Sequence, residues 1–128
     1  MRDENEKERQ KDLKVRTKEL ALQIIRLYSA LPKTIEAQVL GGQLLKSGTS
    51  VGAHYHEAQR AKSNADFISK IEVALQELDE TLYWIELLED SGIVIEKLEF
   101  IKKELNELIA IFVSIVKTVK SRSKLKEK

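Results

Sequence analysis

The segment 98–119, LEFIKKELNELIAIFVSIVKTV, sets Leu98, Ile101, Leu105, Leu108, Phe112, Ile115 and Val119 at alternating steps of three and four. Side chains so spaced share one face of a helix, and the alternation is a heptad seam. Three segments upstream repeat the pattern. The first carries Leu13, Leu20, Ile24, Leu27 and Leu31, and it ends near Leu31 because Pro32 disfavours helical geometry in the residue before it. The second sets Ala37, Leu40, Leu44, Ser47, Val51, His54 and Ala58 in register, and the third Phe67, Ile71, Ala74, Leu78, Leu82, Ile85 and Leu88. Ser63 with Asp66 reads as the third helix's start, and Ser91-Gly92 as its stop. Each helix comes to about 20 to 27 residues, or ~30–40 Å. Short connections make neighbours antiparallel, so the expected fold is all-α, an up-down-up-down antiparallel four-helix bundle. Residues 1–11 read as a polar N-terminal extension, 12–120 as the bundle and 121–128 as a basic C-terminal tail.

Composition agrees with a single domain. The chain has 128 residues, with five Gly and one Pro, too few turn formers for a sandwich or barrel. It has no cysteine, which removes disulfides and thiolate sites. Its N-terminus is polar throughout, and its longest nearly apolar run, Leu108 to Val116, is far short of the roughly 20 residues that span a bilayer. No membrane contact is expected, and the expected location is cytoplasmic.

Apolar residues exceed what one seam per helix needs. The fourth helix adds Ile109, Ile111, Val113 and Val116, the third Leu75, Tyr83, Trp84 and Leu87, and the first Leu22 and Ile25. A helix apolar all round is buried all round. Either these residues broaden one core or copies of the chain cover them. The second reading makes Trp84, Tyr83, Leu87, Ile109, Val113 and Val116 candidates for a homo-oligomer interface. Gly41, Gly48 and Gly52 fall on one side of the second helix, where they allow close approach of a neighbouring helix; alternatively Gly41-Gly42 marks a kink or break.

Catalytic and metal-binding signatures are absent. His54 and His56, two apart on a helix, point away from each other and cannot readily share an ion, and no Glu-x-x-His pair occurs. Ser47, Thr49 and Ser50 near His54 are ordinary helix residues, and Glu77, Asp79 and Glu80 belong to a solvated acidic side. No phosphate loop, dinucleotide fingerprint or nucleophile elbow is present. The expectation is no enzyme, no metal and no cofactor.

Charge placement says more than the net value of +1. In an up-down bundle, residues 2–18, 54–66 and 117–128 share one pole, and they hold fifteen basic against eight acidic side chains. The rest of the chain holds seven basic and thirteen acidic ones. One pole is therefore positive and attractive to phosphate backbones. Lys117, Lys120, Arg122 and Lys124 are the first candidates, then Lys14, Arg16, Lys18, Arg60 and Lys62, in a run continued by Lys126 and Lys128.

The stretch KSGTSVGAHYHEAQ at 46–59, Ser63-x-x-Asp66-Phe67-Ile68, Ala74-Leu75 and Glu80-Thr81-Leu82-Tyr83-Trp84 resemble the four-helix bundle proteins, also called 23S rRNA intervening-sequence proteins. The likeness runs from about Leu13 to Val119. It implies a bundle that assembles into a ring, a pentamer, without catalytic activity. It also implies a distant similarity in fold to accessory variability proteins of diversity-generating retroelements, whose basic rings bind nucleic acid and a reverse transcriptase. His54 stands where the family usually has Asn. The expected partners are further copies of the chain, with RNA or DNA at the basic pole; the alternative is a scaffold that binds another protein and no nucleic acid.

Overall fold

The computed structural model describes residues 4–127, with side chains to 124, as four α-helices and no strand among the described residues: α1 Glu4–Ala30, α2 Ile35–Gln59, α3 Asn64–Asp90 and α4 Glu99–Glu127. Helix α1 takes in the polar stretch before Asp12, and α4 continues through the basic residues after Lys120. Local chemistry sets the boundaries. Thr34 and Ser63 are extended N-caps whose hydroxyls accept from the amides of Ala37 (3.3 Å) and Asp66 (3.0 Å). At the end of α3 the Ser91 amide donates to Leu87, and Gly92 turns the chain at φ +79°, a left-handed conformation that costs glycine nothing.

Cross-helix pairs fix the neighbours. Going along α2, Gly41 lies against Leu31 and Tyr28, Gly48 against Ile24, and Gly52 against Thr17, in opposite chain order. Ser47 meets Thr81 and Glu57 meets Lys70, so the start of α2 is level with the end of α3. Glu89 pairs with Lys102 and Asn64 with Ser123, again in reverse order. Contact between α1 and α4 is the sparsest of the four helix pairings. Arg16 clamps it, donating to Glu104 at 3.0 and 2.6 Å.

Among the described residues, eighteen apolar side chains form one buried core. Its stripe departs from the strict heptad in a regular way. In α4 it runs Leu105, Leu108, Phe112, Val116, and in α2 it runs Leu44, Ser47, Val51, Tyr55, Ala58. A straight helix of 3.6 residues per turn drifts about 20° per heptad against a 3.5 repeat, so a step of four replaces a step of three. Tyr55 thus takes the inner place expected of His54 and stacks on Phe112 with centroids 5.6 Å apart. His54 is only half-buried, its Nδ1 3.7 Å from Glu57. Val116, expected on an outer face, joins the core at 8% exposure for the same reason.

Helix α2 runs unbroken through Gly41-Gly42, so the glycine side is a close approach to α1 and not a break. Gly42 is the exception: a methyl there would meet nothing. Gly42→Ala is therefore expected to raise stability by about 0.5–1 kcal/mol through helix propensity alone, read as a higher urea midpoint.

Glu89 ties the α3–α4 connection to the start of α4. Its carboxylate accepts from the Leu98 amide and from Lys102 Nζ, both at 2.8 Å. The Lys102 hydrogen bond first, and the Leu98 amide second, hold the Glu89 pKa below its ordinary value. A depressed carboxylate stabilises the fold above its unfolded pKa, near 4.5, and loses that contribution as pH falls through the folded value. Glu89→Gln is accordingly expected to lower the melting temperature at pH 7, with the gap to the parent protein closing below pH 4. A gap that persists unchanged into acid would show that the carboxylate's charge is not what holds the connection.

Candidate nucleic-acid interface

Four helix ends meet at one pole. Arg122 on α4 lies 3.4 Å from Glu6 on α1, Asn64 at the start of α3 donates to Ser123, and Tyr55 near the end of α2 bonds the Gln10 carbonyl. Between them opens a cleft of about 340 Å³ with Leu13, Phe67, Ile115 and Val119 inside and Arg9, Gln59 and Asn64 at its edge. Neither the cleft nor the place of Arg9 in it is visible in the spacing of charges, because both depend on how far apart α1 and α4 stand.

The expected cations divide into free and engaged groups. Lys117, Lys124, Lys14, Lys18, Arg60 and Lys62 are exposed. Lys120 is exposed with Glu72 at 3.7 Å, and Arg122 is exposed beside Glu6, loose pairs that a competing phosphate can replace. Arg16 is different. It is three-quarters buried at the side chain, and besides the two bonds to Glu104 it has Glu107 at 3.4 Å and Asp12 at 3.8 Å. The Glu104 hydrogen bonds hold its guanidinium still more firmly in the charged form. Its donors are committed to joining α1 to α4. Lys126 and Lys128 lie outside the residues whose side chains are described.

Apolar candidates divide likewise. Tyr83 is 56% exposed and Val113 36%; Trp84, Leu87 and Ile109 are half-buried; Val116 belongs to the chain's own core. Tyr83 and Trp84 meet edge to face at 5.2 Å. The Trp84 indole N–H has no acceptor among the described residues. Val15 and Ile25, at 54% and 43%, are further exposed apolar side chains on α1.

Among the described residues no group of three or more His, Asp or Glu is placed to hold a metal ion. Burial first, and Glu80 second, raise the Glu77 pKa, while Asp79 and Glu80 are exposed. No described helix is long and apolar enough to cross a membrane.

The family model for the 23S rRNA-intervening sequence protein matches residues 10–114. A solved structure from Bacteroides thetaiotaomicron, described as a protein with unknown function from the S23 ribosomal protein family, is 39% identical; the match covers 84% of this chain and 97% of that one, with a TM-score of 0.77. No curated protein matches the chain. The match takes in all of α2 and α3, the α1 core residues Leu13, Thr17, Leu20 and Ile24, and α4 as far as Ser114. On that span, the chain belongs to the 23S rRNA-intervening sequence protein family.

Proposed function

We propose that this protein is a non-enzymatic, ring-forming homo-oligomer of the cytoplasm, a pentamer of up-down-up-down antiparallel bundles, that holds RNA or DNA on the basic pole. The reversed order of the cross-helix pairs supports the topology. Exposed apolar side chains on α1, Val15 and Ile25, as well as on α3 and α4, Tyr83 and Val113, offer more than one surface for a neighbouring chain to cover, which supports a heterologous contact, the kind that closes into a ring. The observation that carries the nucleic-acid reading is the convergence of exposed Lys117, Lys120, Lys124, Arg60 and Lys62 where the helix ends meet, with few of them neutralised in the chain. A ring repeats that pole around one face and adds the fields together. No base-reading element accompanies the cations, so contact is to phosphates and shape.

A salt series with structured RNA and duplex DNA tests it. Six to ten phosphates neutralised per complex give roughly a 10³–10⁵-fold loss of affinity between 50 and 200 mM salt. The triple variant Lys117→Glu, Lys120→Glu, Lys124→Glu is expected to flatten that slope and to weaken binding at least tenfold at low salt. Absence of binding by the parent protein at low salt would overturn this reading and leave the protein-binding scaffold.

A further inference from the structure

The opposite pole is apolar. Ile95 is 93% exposed, Ile35 80%, Phe100 74% and Val39 59%, the four highest values among the large apolar side chains of the described residues. Ile35 and Phe100 belong to the first turns of α2 and α4, Val39 to the second turn of α2 and Ile95 to the α3–α4 connection. Because the start of α2 is level with the end of α3, all four sit at one end of the bundle. Side chains on a helix tilt toward its N-terminus, so Ile35, Val39 and Phe100 lean outward over that end and away from the core. Nothing in the fold requires this. Each position is solvent-facing, where a polar residue would serve the helix as well.

We infer that this pole is a contact surface for a second copy of itself, so that two rings stack pole to pole with their basic faces outward. Charge chooses the occupant. Lys33, Lys97, Lys103 and Lys102, the last closed onto Glu89 and Glu99, stand here with Glu36, Asp90, Glu96, Glu89 and Glu99, four positive groups against five negative and so nearly balanced. Nucleic acid or an anionic membrane selects an excess of cations, and a strongly charged protein selects the opposite sign. A balanced surface is complementary to its own two-fold copy, where each positive group can meet a negative one. Area explains why stacking belongs to rings. The end of a four-helix bundle with axes 8–10 Å apart offers roughly 400 Å², half of what each partner gives in a standard interface. One such contact is weak, whereas five made together across two rings act as a single multivalent one. The inference therefore rests on the ring of the preceding section.

Light scattering on the full chain, with Ile95→Glu and Phe100→Glu combined, separates the two ideas. Both side chains are largely exposed, so helical content should be unchanged. The expected result is a parent particle of ten copies of the 14.7 kDa chain that the variant halves to five. A parent particle of five copies, with the same mass in the variant, overturns the stacking and leaves the ring. A two-copy particle that the variant splits into single chains upholds the pole contact and overturns the ring. A single-chain parent overturns both.

Discussion

Gly48→Leu is expected to cost about 3 kcal/mol or more, a large part of the roughly 5–15 kcal/mol that holds a domain together. A Cβ at Gly48 would lie 2.8 Å from Ile24 Cγ1, 3.0 Å from Cγ2 and 3.3 Å from Cβ, closer than carbon atoms pack. Ile24 cannot yield. It is fully buried, and a β-branched side chain in a helix has essentially one χ1 rotamer, so relief must come from the backbones of α1 and α2. Gly41 makes a useful contrast. Its added Cβ would come within 2.5 Å of Leu31 Cδ1, the end of a flexible side chain next to the helix terminus, and 3.0 Å of the Tyr28 ring, so the single methyl of Gly41→Ala should still destabilise but less than Gly48→Leu. Gly52 meets Thr17 Oγ1 at 3.1 Å and should be milder again. Urea midpoints of the series check the order, with Gly42→Ala above the parent protein. Pairing Gly48→Leu with Ile24→Ala makes room for the new side chain. The double variant should be more stable than the sum of the two single losses implies, and strict additivity would mean that the two residues do not meet.

Helix number, the Ser63 cap and the Gly92 stop are local matters, set by apolar spacing and by hydroxyl and glycine chemistry within a few residues, and all are legible. The glycine side of α2 was readable as either a close approach or a break, and only the position of Ile24 decides between them. The errors at His54 and Val116 have one cause. A strict heptad drifts by about 20° every seven residues on a straight helix, so farther along the helix the next residue takes the inner place. The site was legible as a charge sum and not as a set of side chains. Lys117 and Lys124 follow from the basic run at 117–128 and are exposed, whereas Arg16, counted with the same pole, is committed to Glu104, 88 residues away. Apolar excess is legible in Tyr83 and Val113 but not in Ile35, Val39, Ile95 and Phe100. They fall outside any inner stripe, and their shared end exists only after the helices are placed.

The second large effect follows from assembly, and it requires no change of charge. Tyr83→Ser with Val113→Ser removes two exposed apolar side chains and leaves every cation in place. If these residues join neighbouring chains, the particle should fall to single chains of 14.7 kDa. Affinity for a long RNA should then fall by about 10²–10⁴, because contacts beyond the first become separate encounters. Affinity for an oligonucleotide short enough to touch one pole should fall far less, since its direct contacts to Lys117, Lys120 and Lys124 are kept and only the screened field of neighbouring chains is lost. The two probes separate causes that one would confuse. Equal losses on long and short RNA would mean that the substitutions had disturbed the pole itself. An unchanged particle mass would move the ring contact elsewhere, to Val15 and Ile25 alone or to a surface without apolar excess. A dissociated chain that keeps full affinity for long RNA would show that one pole suffices, and the ring would then need a different reason to exist.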